Sequence, residues 1–274
     1  MVVVVVTSDP DPARFDALLE ALAAQDYANL RVLVIDAGST LDPSPSVAAA
    51  LPDARVLRLA DDEGFGASAN RVLDFVEGAE LFVFSHDDVV PEPDSVRALV
   101  EVSERFDAGV VGPKLVAWDD PERLLQVGMA SDRVGTMLPF VERGERDQAQ
   151  HDGDRQVFVV PGAFTLVRAD LFERIGGFDE AISFMGDDLS LCWRARLAGA
   201  RVVVTSATRA RHAEALGQRP AARGRRRQKL ADRHRLRTLL MCTRLPGLLV
   251  AVPRAVLVTL FQVCLLYTSD AADD

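Results

Sequence analysis

Between Phe82 and Asp94 the chain reads FVFSHDDVVPEPD. Leu81 to Phe84 is a short continuous apolar run, the pattern of a strand covered on both faces in a parallel sheet. Asp87 and Asp88 fall just past its carboxyl end, the edge where open α/β sheets bind ligands. Two adjacent carboxylates repel each other unless a cation or hydrogen-bond donors offset the charge. On these residues alone the pair reads either as a divalent-metal site holding a diphosphate or as solvated loop acids ahead of a helix.

Outward from this strand the rhythm is regular. Val2 to Val6 is a buried strand, and Asp11-Pro12 supplies the N-cap and first-turn proline of a helix. The inward face of that helix is Phe15, Leu18, Leu19, Leu22 and Ala23. Arg31 to Ile35 forms a second strand ending at Asp36, and Arg55 to Leu59 a third, which leads through DDEGFGASAN into a helix from about Ala67 to Val76. A helix from about Asp94 to Phe106 follows the fourth strand, and Val110 and Val111 begin a fifth. Strands alternating with helices at this spacing indicate βαβ units and a parallel sheet with right-handed crossovers.

After Gly112 the pattern loosens. Gly112 to Trp118 and Leu124 to Met129 read as extended segments, and the polar stretch from Ser131 to Arg155 is irregular, as lids and binding loops are. Val157 to Val160 and Ala163 to Val167 resume strand character across Pro161-Gly162, and Ala169 to Ile175 forms a short helix closed by Gly176-Gly177. Asp187 and Asp188 then occupy the first turn of a helix, where the macrodipole favours negative charge. Leu189, Cys192 and Trp193 form its buried stripe, and Arg201 to Thr205 is a last strand.

These segments, in this order, resemble the family 2 glycosyltransferases, inverting enzymes on the GT-A fold, in a membrane-associated member of actinobacterial type. The match covers about Val2 to His212 and rests on VTSDP, LAAQDYANLRVLVIDAGST, EGFGASAN, SHDDV and GGFDEAISFMGDDLSLCWRARLAGARVVV. The resemblance implies an α/β fold with a mostly parallel sheet flanked by helices, and transfer of a sugar from a UDP- or dTDP-sugar to a glycan or lipid-linked acceptor hydroxyl. It implies that Thr7, Asp36, Gly64, Gly66, Asn70 and Asp87 bind the donor, and that Asp87, Asp88 and His212 hold Mg²⁺ or Mn²⁺. It further implies that Asp188, with Asp187 next in line, is the catalytic base, and that Gly162 and Trp193 face the acceptor. Ser85 stands where many members carry the first metal-motif Asp, Asp187 replaces a usual Glu, Ser190 a frequent Asp, and Ala69 a frequent Arg.

Two rival readings differ in class. A sugar nucleotidyltransferase would carry a glycine-rich, basic loop after the first strand, where TSDPDP stands instead. A non-catalytic nucleotide-binding domain of a membrane protein would keep the fold without turnover.

Composition bounds the remainder. The 274 residues, 49% apolar and 26% charged, suit a globular chain with a sizeable core. Eleven Lys or Arg face only Glu214 and Asp232 between Arg209 and Arg237, so this tail is +9 and the rest −19 of a formal −10. An acidic body argues against a nucleic-acid partner. Cys192, Cys242 and Cys264 are too scattered for a metal site or a disulfide framework and suggest a reducing compartment. The five valines after Met1 lack a basic flank and read as a first strand rather than a signal peptide.

Leu245 to Phe261 is apolar but broken by Pro246, Pro253 and Arg254, which suits an interfacial segment better than a span of about 20 residues. Its basic approach fits an anionic bilayer at the cytoplasmic face of the cell membrane. CLLYTSDAAD, Cys264 to Asp273, resembles a translated sequencing adapter. The expected organisation is therefore a GT-A domain over 1–215, a membrane-proximal tail over 216–263 and non-native residues over 264–274, with the natural gene continuing further.

Overall fold

The computed structural model describes residues 1–183, 185–214, 224–249, 252–254, 256–257 and 260. Residues 264–274 therefore lie outside the described residues, as does the start of the basic tail at 216–223.

The first strand explains the architecture. All six residues of β1 (Val2–Thr7) are buried. Val2, Val4 and Val6 join one hydrophobic core, and Val3 and Val5 the other. Side chains of a strand alternate faces, so a run of valines forms a layer covered on both sides. β1 pairs in parallel with β2 (Arg31–Ala37) and β4 (Leu81–Ser85), and β2 pairs in parallel with β3 (Arg55–Leu59). Beyond β4 the sheet continues through β11 (Phe164–Arg168), β6 (Ala108–Ala117) and β12 (Arg201–His212). β11 is antiparallel to both neighbours and β12 parallel to β6, so β11 alone among these seven strands runs against the rest.

Helices α1 (Pro12–Ala23), α2 (Ser44–Ala50) and α5 (Ser95–Phe106) cover one face, burying Phe15, Leu18, Leu19, Leu22, Val47 and Leu99. Asp11 caps α1 by accepting the Arg14 N–H at 3.1 Å. Helices α3 (Phe65–Asn70), α4 (Val72–Phe75), α6 (Ala169–Arg174) and α7 (Asp187–Leu197) cover the other face around Phe82, Phe84, Phe172 and Phe178.

Several expectations are corrected. Ala23 is exposed at the last turn of α1. The single helix expected over 67–76 is two short ones, interrupted at Arg71. Val157 to Val160 is not a strand: only β10 (Arg155–Gln156) pairs with β12, and Val159 forms a lone bridge to Met129. These valines are apolar because they are buried, while their backbone bonds divide between Val202 and Met129. The 131–155 stretch is not irregular throughout, because β8 (Met129–Ser131) and β9 (Met137–Pro139) form a hairpin. Its remainder is tied to the sheet by buried Lys114, which reaches Asp147 at 2.9 Å and Asp152 at 2.5 Å. β7 (Leu124–Gln126) adds an antiparallel edge to β6.

β12 runs seven residues past its expected end. A register shift between Thr205 and Arg209 re-aims it, and its second half pairs with β5 (Val89–Pro91), setting His212 opposite Val89. Helix α8 (Gly224–Cys242), inside the basic tail, packs on the body through His234, Thr238, Leu239 and Cys242, all buried. Packing against the body thus extends, through α8, past the expected domain end at 215.

Candidate active site

The carboxyl ends of β1, β2 and β4 carry the first group of side chains. Asp36 is fully buried, accepting the Ser39 N–H on Oδ1 and the Arg58 Nε–H on Oδ2 at 2.8 Å. Asp9 closes the neighbouring turn, donating its backbone N–H to Ser39 Oγ and accepting the Thr40 N–H on Oδ1. Thr7 donates its hydroxyl to Asp87 Oδ2 at 2.8 Å.

Asp88 does not share that environment. It is 2% exposed, and its Oδ1 lies 3.1 Å from His212 Nε2 and 3.9 Å from His86 Nδ1. His86, Asp88 and His212 offer ligand atoms all within 4.8 Å of one another. The metal set expected from sequence was Asp87, Asp88 and His212; the structure gathers the last two, adds His86 and turns Asp87 toward Thr7. The reason is local. Asp87 and Asp88 form the turn between β4 and β5, and this turn aims one carboxylate at Thr7 and the other at His86 and His212. Ser85 takes no part, since its buried hydroxyl donates to the His86 carbonyl oxygen.

The cluster fits a divalent cation on the chemistry of its donors. His86 Nδ1 is buried without a hydrogen-bond partner. Burial first, and the nearby His212 second, push the His86 imidazole down to about 4, with Asp88 opposing. A neutral imidazole with an available lone pair is the form a metal needs. One carboxylate and two imidazoles suit a transition-series ion better than Mg²⁺, which prefers oxygen ligands.

The second group is the acid pair at the start of α7. Asp187 and Asp188 are partly buried, and a side chain added at Gly162 would meet Asp187 Oδ2 at 3.5 Å and Asp188 Cβ at 3.6 Å. One residue further on, the Ala163 carbonyl accepts the His86 N–H, which brings both groups to the same sheet edge. Burial, and then the Asp187 charge, push the Asp188 carboxyl up to about 7. Its Oδ1 accepts the Leu189 N–H at 2.7 Å. Asp187 is also raised by burial, against its own backbone N–H and the nearby His234.

The remaining expected residues do other work. Asn70 clamps the Gly-Gly-Phe-Asp turn: its Oδ1 accepts the Phe178 N–H at 2.7 Å and its Nδ2 donates to the Phe178 carbonyl at 3.0 Å. Gly64, with φ of 89°, lies where a Cβ would sit 2.6 Å from the Ser183 carbonyl oxygen, and a Cβ on Gly66 would meet Phe178 at 2.9 Å. The Gly-Phe-Gly segment thus packs on the segment leading to the acid pair. Phe65 bridges the two groups, with edge contacts to His86 and Phe178. Trp193 packs edge-on against Phe158 and joins Val134 and Leu239. Two residues were missed from sequence: His86, detectable from its i, i+2 relation to Asp88, and His234, for which no local signal exists.

A covered α/β sheet whose seven main strands are parallel except for β11, a candidate cation cluster beside the fourth strand and an acid pair at a helix start fit the GT-A glycosyltransferase fold. GalNAc-T7 with UDP, GalNAc and Mn²⁺ superposes with a TM-score of 0.64 at 12% identity, over 77% of this chain and 42% of that one. S. aureus TarS 1–349 in complex with UDP-GlcNAc does so with 0.55 at 19%, over 76% and 57%. The profile described as "Glycosyltransferase like family 2" matches residues 1–237, and the chain belongs to that family. O-antigen biosynthesis protein RfbC of Myxococcus xanthus is 31% identical over 78% of this chain, which spans only 17% of RfbC. N-acetylglucosaminyl-diphospho-decaprenol L-rhamnosyltransferase of Mycobacterium tuberculosis is 29% identical over 85% of this chain and 84% of its own length.

Proposed function

We propose that this chain transfers a sugar, with inversion, from a nucleotide-diphospho-sugar to an acceptor hydroxyl. The observation that carries this is the placement of two distinct acidic groups at one sheet edge, a His-Asp-His cluster and a carboxyl poised near neutrality. A general base is most effective with a pKa close to the working pH, and Asp188 meets that condition. Asp188 takes the proton of the acceptor hydroxyl as that oxygen attacks the anomeric carbon from the face opposite the leaving diphosphate. Asp187 keeps a second negative charge beside it, which holds the Asp188 carboxyl basic.

His86, Asp88 and His212 would hold the cation, Mn²⁺ in preference to Mg²⁺. When bound, it supplies Lewis-acid neutralisation of the diphosphate. Thr7, Asp36 and Asp87 line the strand ends on the donor side and bind the uridine or thymidine part. Gly64, Gly66 and Asn70 shape that wall by packing rather than by reaching the donor.

Gly162 leaves room for the acceptor against the acid pair, and Trp193 supports the floor. The name of the mycobacterial relative favours a lipid-linked diphosphate-sugar acceptor. Among the described residues no helix is long and apolar enough to cross a membrane. Leu236, Leu240, Met241, Leu245 and Leu249 are nevertheless exposed beside Arg233, Arg237 and Arg244, a combination suited to an anionic bilayer at the cytoplasmic face. Calorimetric titration with UDP and dTDP in the presence of Mn²⁺, followed by turnover of the corresponding sugar nucleotides, tests the reading. Mn²⁺-dependent binding of one nucleotide and release of its diphosphate is expected; binding without turnover would leave a binding module instead.

A further inference from the structure

The acid pair has a neighbour from the basic helix α8, beyond the motifs quoted from the sequence. His234 lies on α8 and is 1% exposed, with Nδ1 2.9 Å from the Met185 carbonyl oxygen. A carbonyl oxygen only accepts, so Nδ1 carries a hydrogen and donates it. Met185 has φ of 59° and Gly186 φ of 105°. Two successive left-handed residues thus stand directly before Asp187, and a residue with a side chain holds that conformation only where its surroundings impose it. The contact is close, since a Cβ on Gly186 would lie 3.3 Å from His234 Cβ.

Other bonds fix α8 over this turn. Arg237 grips Asp179 with two hydrogen bonds, at 2.6 and 2.9 Å, and Arg235 donates to the Thr136 hydroxyl at 3.0 Å. Leu239 packs with Val134 and Trp193, the latter on α7 itself.

We infer that His234 is a positioning residue for the acid pair: it holds the Met185–Gly186 turn in the left-handed conformation that launches α7, and so fixes where Asp187 and Asp188 stand. The role rests on the reading of that pair as the acceptor-side base. It makes the basic helix part of the site, so that whatever α8 touches outside bears on the carboxylates. The imidazole also favours the charged form of Asp187, in keeping with its proximity.

The test uses the full chain as wild type, His234→Ala, His234→Asn and Arg237→Ala, read by transfer kinetics and by amide hydrogen exchange. Asparagine can present an amide N–H where Nδ1–H stands, but it has no positive form. His234→Ala is expected to lower kcat about 10–100-fold, as loss of a supporting hydrogen bond does around a reactive group, with the donor KM unchanged. The same variant speeds exchange of the Asp187 to Leu189 amides. His234→Asn restores most of the rate and the protection, and Arg237→Ala, which loosens α8 but keeps the bond to the turn, loses less of both than His234→Ala does. Equal losses in His234→Asn and His234→Ala would overturn the inference in favour of a role for charge, and an equal loss in Arg237→Ala in favour of general helix docking. Unchanged amide exchange in His234→Ala would also overturn it. Absence of transfer by the wild-type chain would defeat the glycosyltransferase reading alone, because the exchange data still decide whether His234 holds the turn.

Discussion

Two Asp-Asp pairs stand at the same edge of the sheet and are built for different chemistry. Asp87 and Asp88 lie in the turn between β4 and β5, where their side chains diverge, one to the Thr7 hydroxyl and the other to two histidines. Asp187 and Asp188 lie in the first turn of α7, so they remain neighbours in one desolvated space, where burial raises both and the Asp187 charge raises Asp188 further. In the proposed reaction the same dipeptide would serve as a cation ligand in one case and a proton acceptor in the other. Backbone conformation, a turn against a helix start, rather than composition, makes the difference.

The largest expected effect separates the pairs by reaction step. Asp188→Asn keeps the shape and loses the basic oxygen, so transfer should slow by about 10²–10⁴, the usual contribution of a positioned base. Near wild-type turnover would move the base to Asp187 and collapse the distinction. Within the other pair the members should be unequal. Asp88→Asn is expected to weaken Mn²⁺-dependent nucleotide binding by more than about 100-fold, and Asp87→Asn, which loses one charge-assisted bond, by about tenfold. Equal losses, measured by calorimetry, would restore a conventional two-aspartate metal site.

Smaller effects concern the wall between the groups. Gly64→Ala forces a Cβ onto the Ser183 carbonyl at a φ of 89°. It should cost about 1–3 kcal/mol in chemical denaturation, with Gly78→Ala, where nothing lies within 4 Å, as the milder comparison. The smallest effect is on pH dependence. Asp188 titrates near 7 when folded and near 3.8 when unfolded, so between these values the native state holds the extra proton and stability falls as pH rises. Asp188→Asn removes that loss. Its melting temperature relative to wild type should be higher at about pH 8 than at about pH 4, and a constant difference would mean that the carboxyl is not raised.

Much of this was legible in the sequence. β1, β2 and β4 carry apolar runs whose ends place Thr7, Asp36 and the first Asp-Asp pair, and the preference of a helix start for negative charge places the second pair. What escaped was non-local. The second half of β12 reads TSATRARH, too polar to announce a strand, yet after a register shift it pairs with β6 on one side and β5 on the other. Without that pairing His212 had no visible route to Asp88. His86 was overlooked because adjacency suggested that Asp87 and Asp88 act together, whereas the turn they form points them apart. The packing of α8 was hidden by its arginines, which dominate its composition while His234, Thr238, Leu239 and Cys242 make the contact.

The division of labour between the pairs is tested most directly by titrating Mn²⁺ and nucleoside diphosphate into Asp88→Asn and Asp188→Asn side by side, without acceptor. Asp88→Asn should lose the metal-dependent binding and Asp188→Asn should bind as wild type does. Loss of nucleotide binding in Asp188→Asn would place its carboxylate in the donor site and contradict the account.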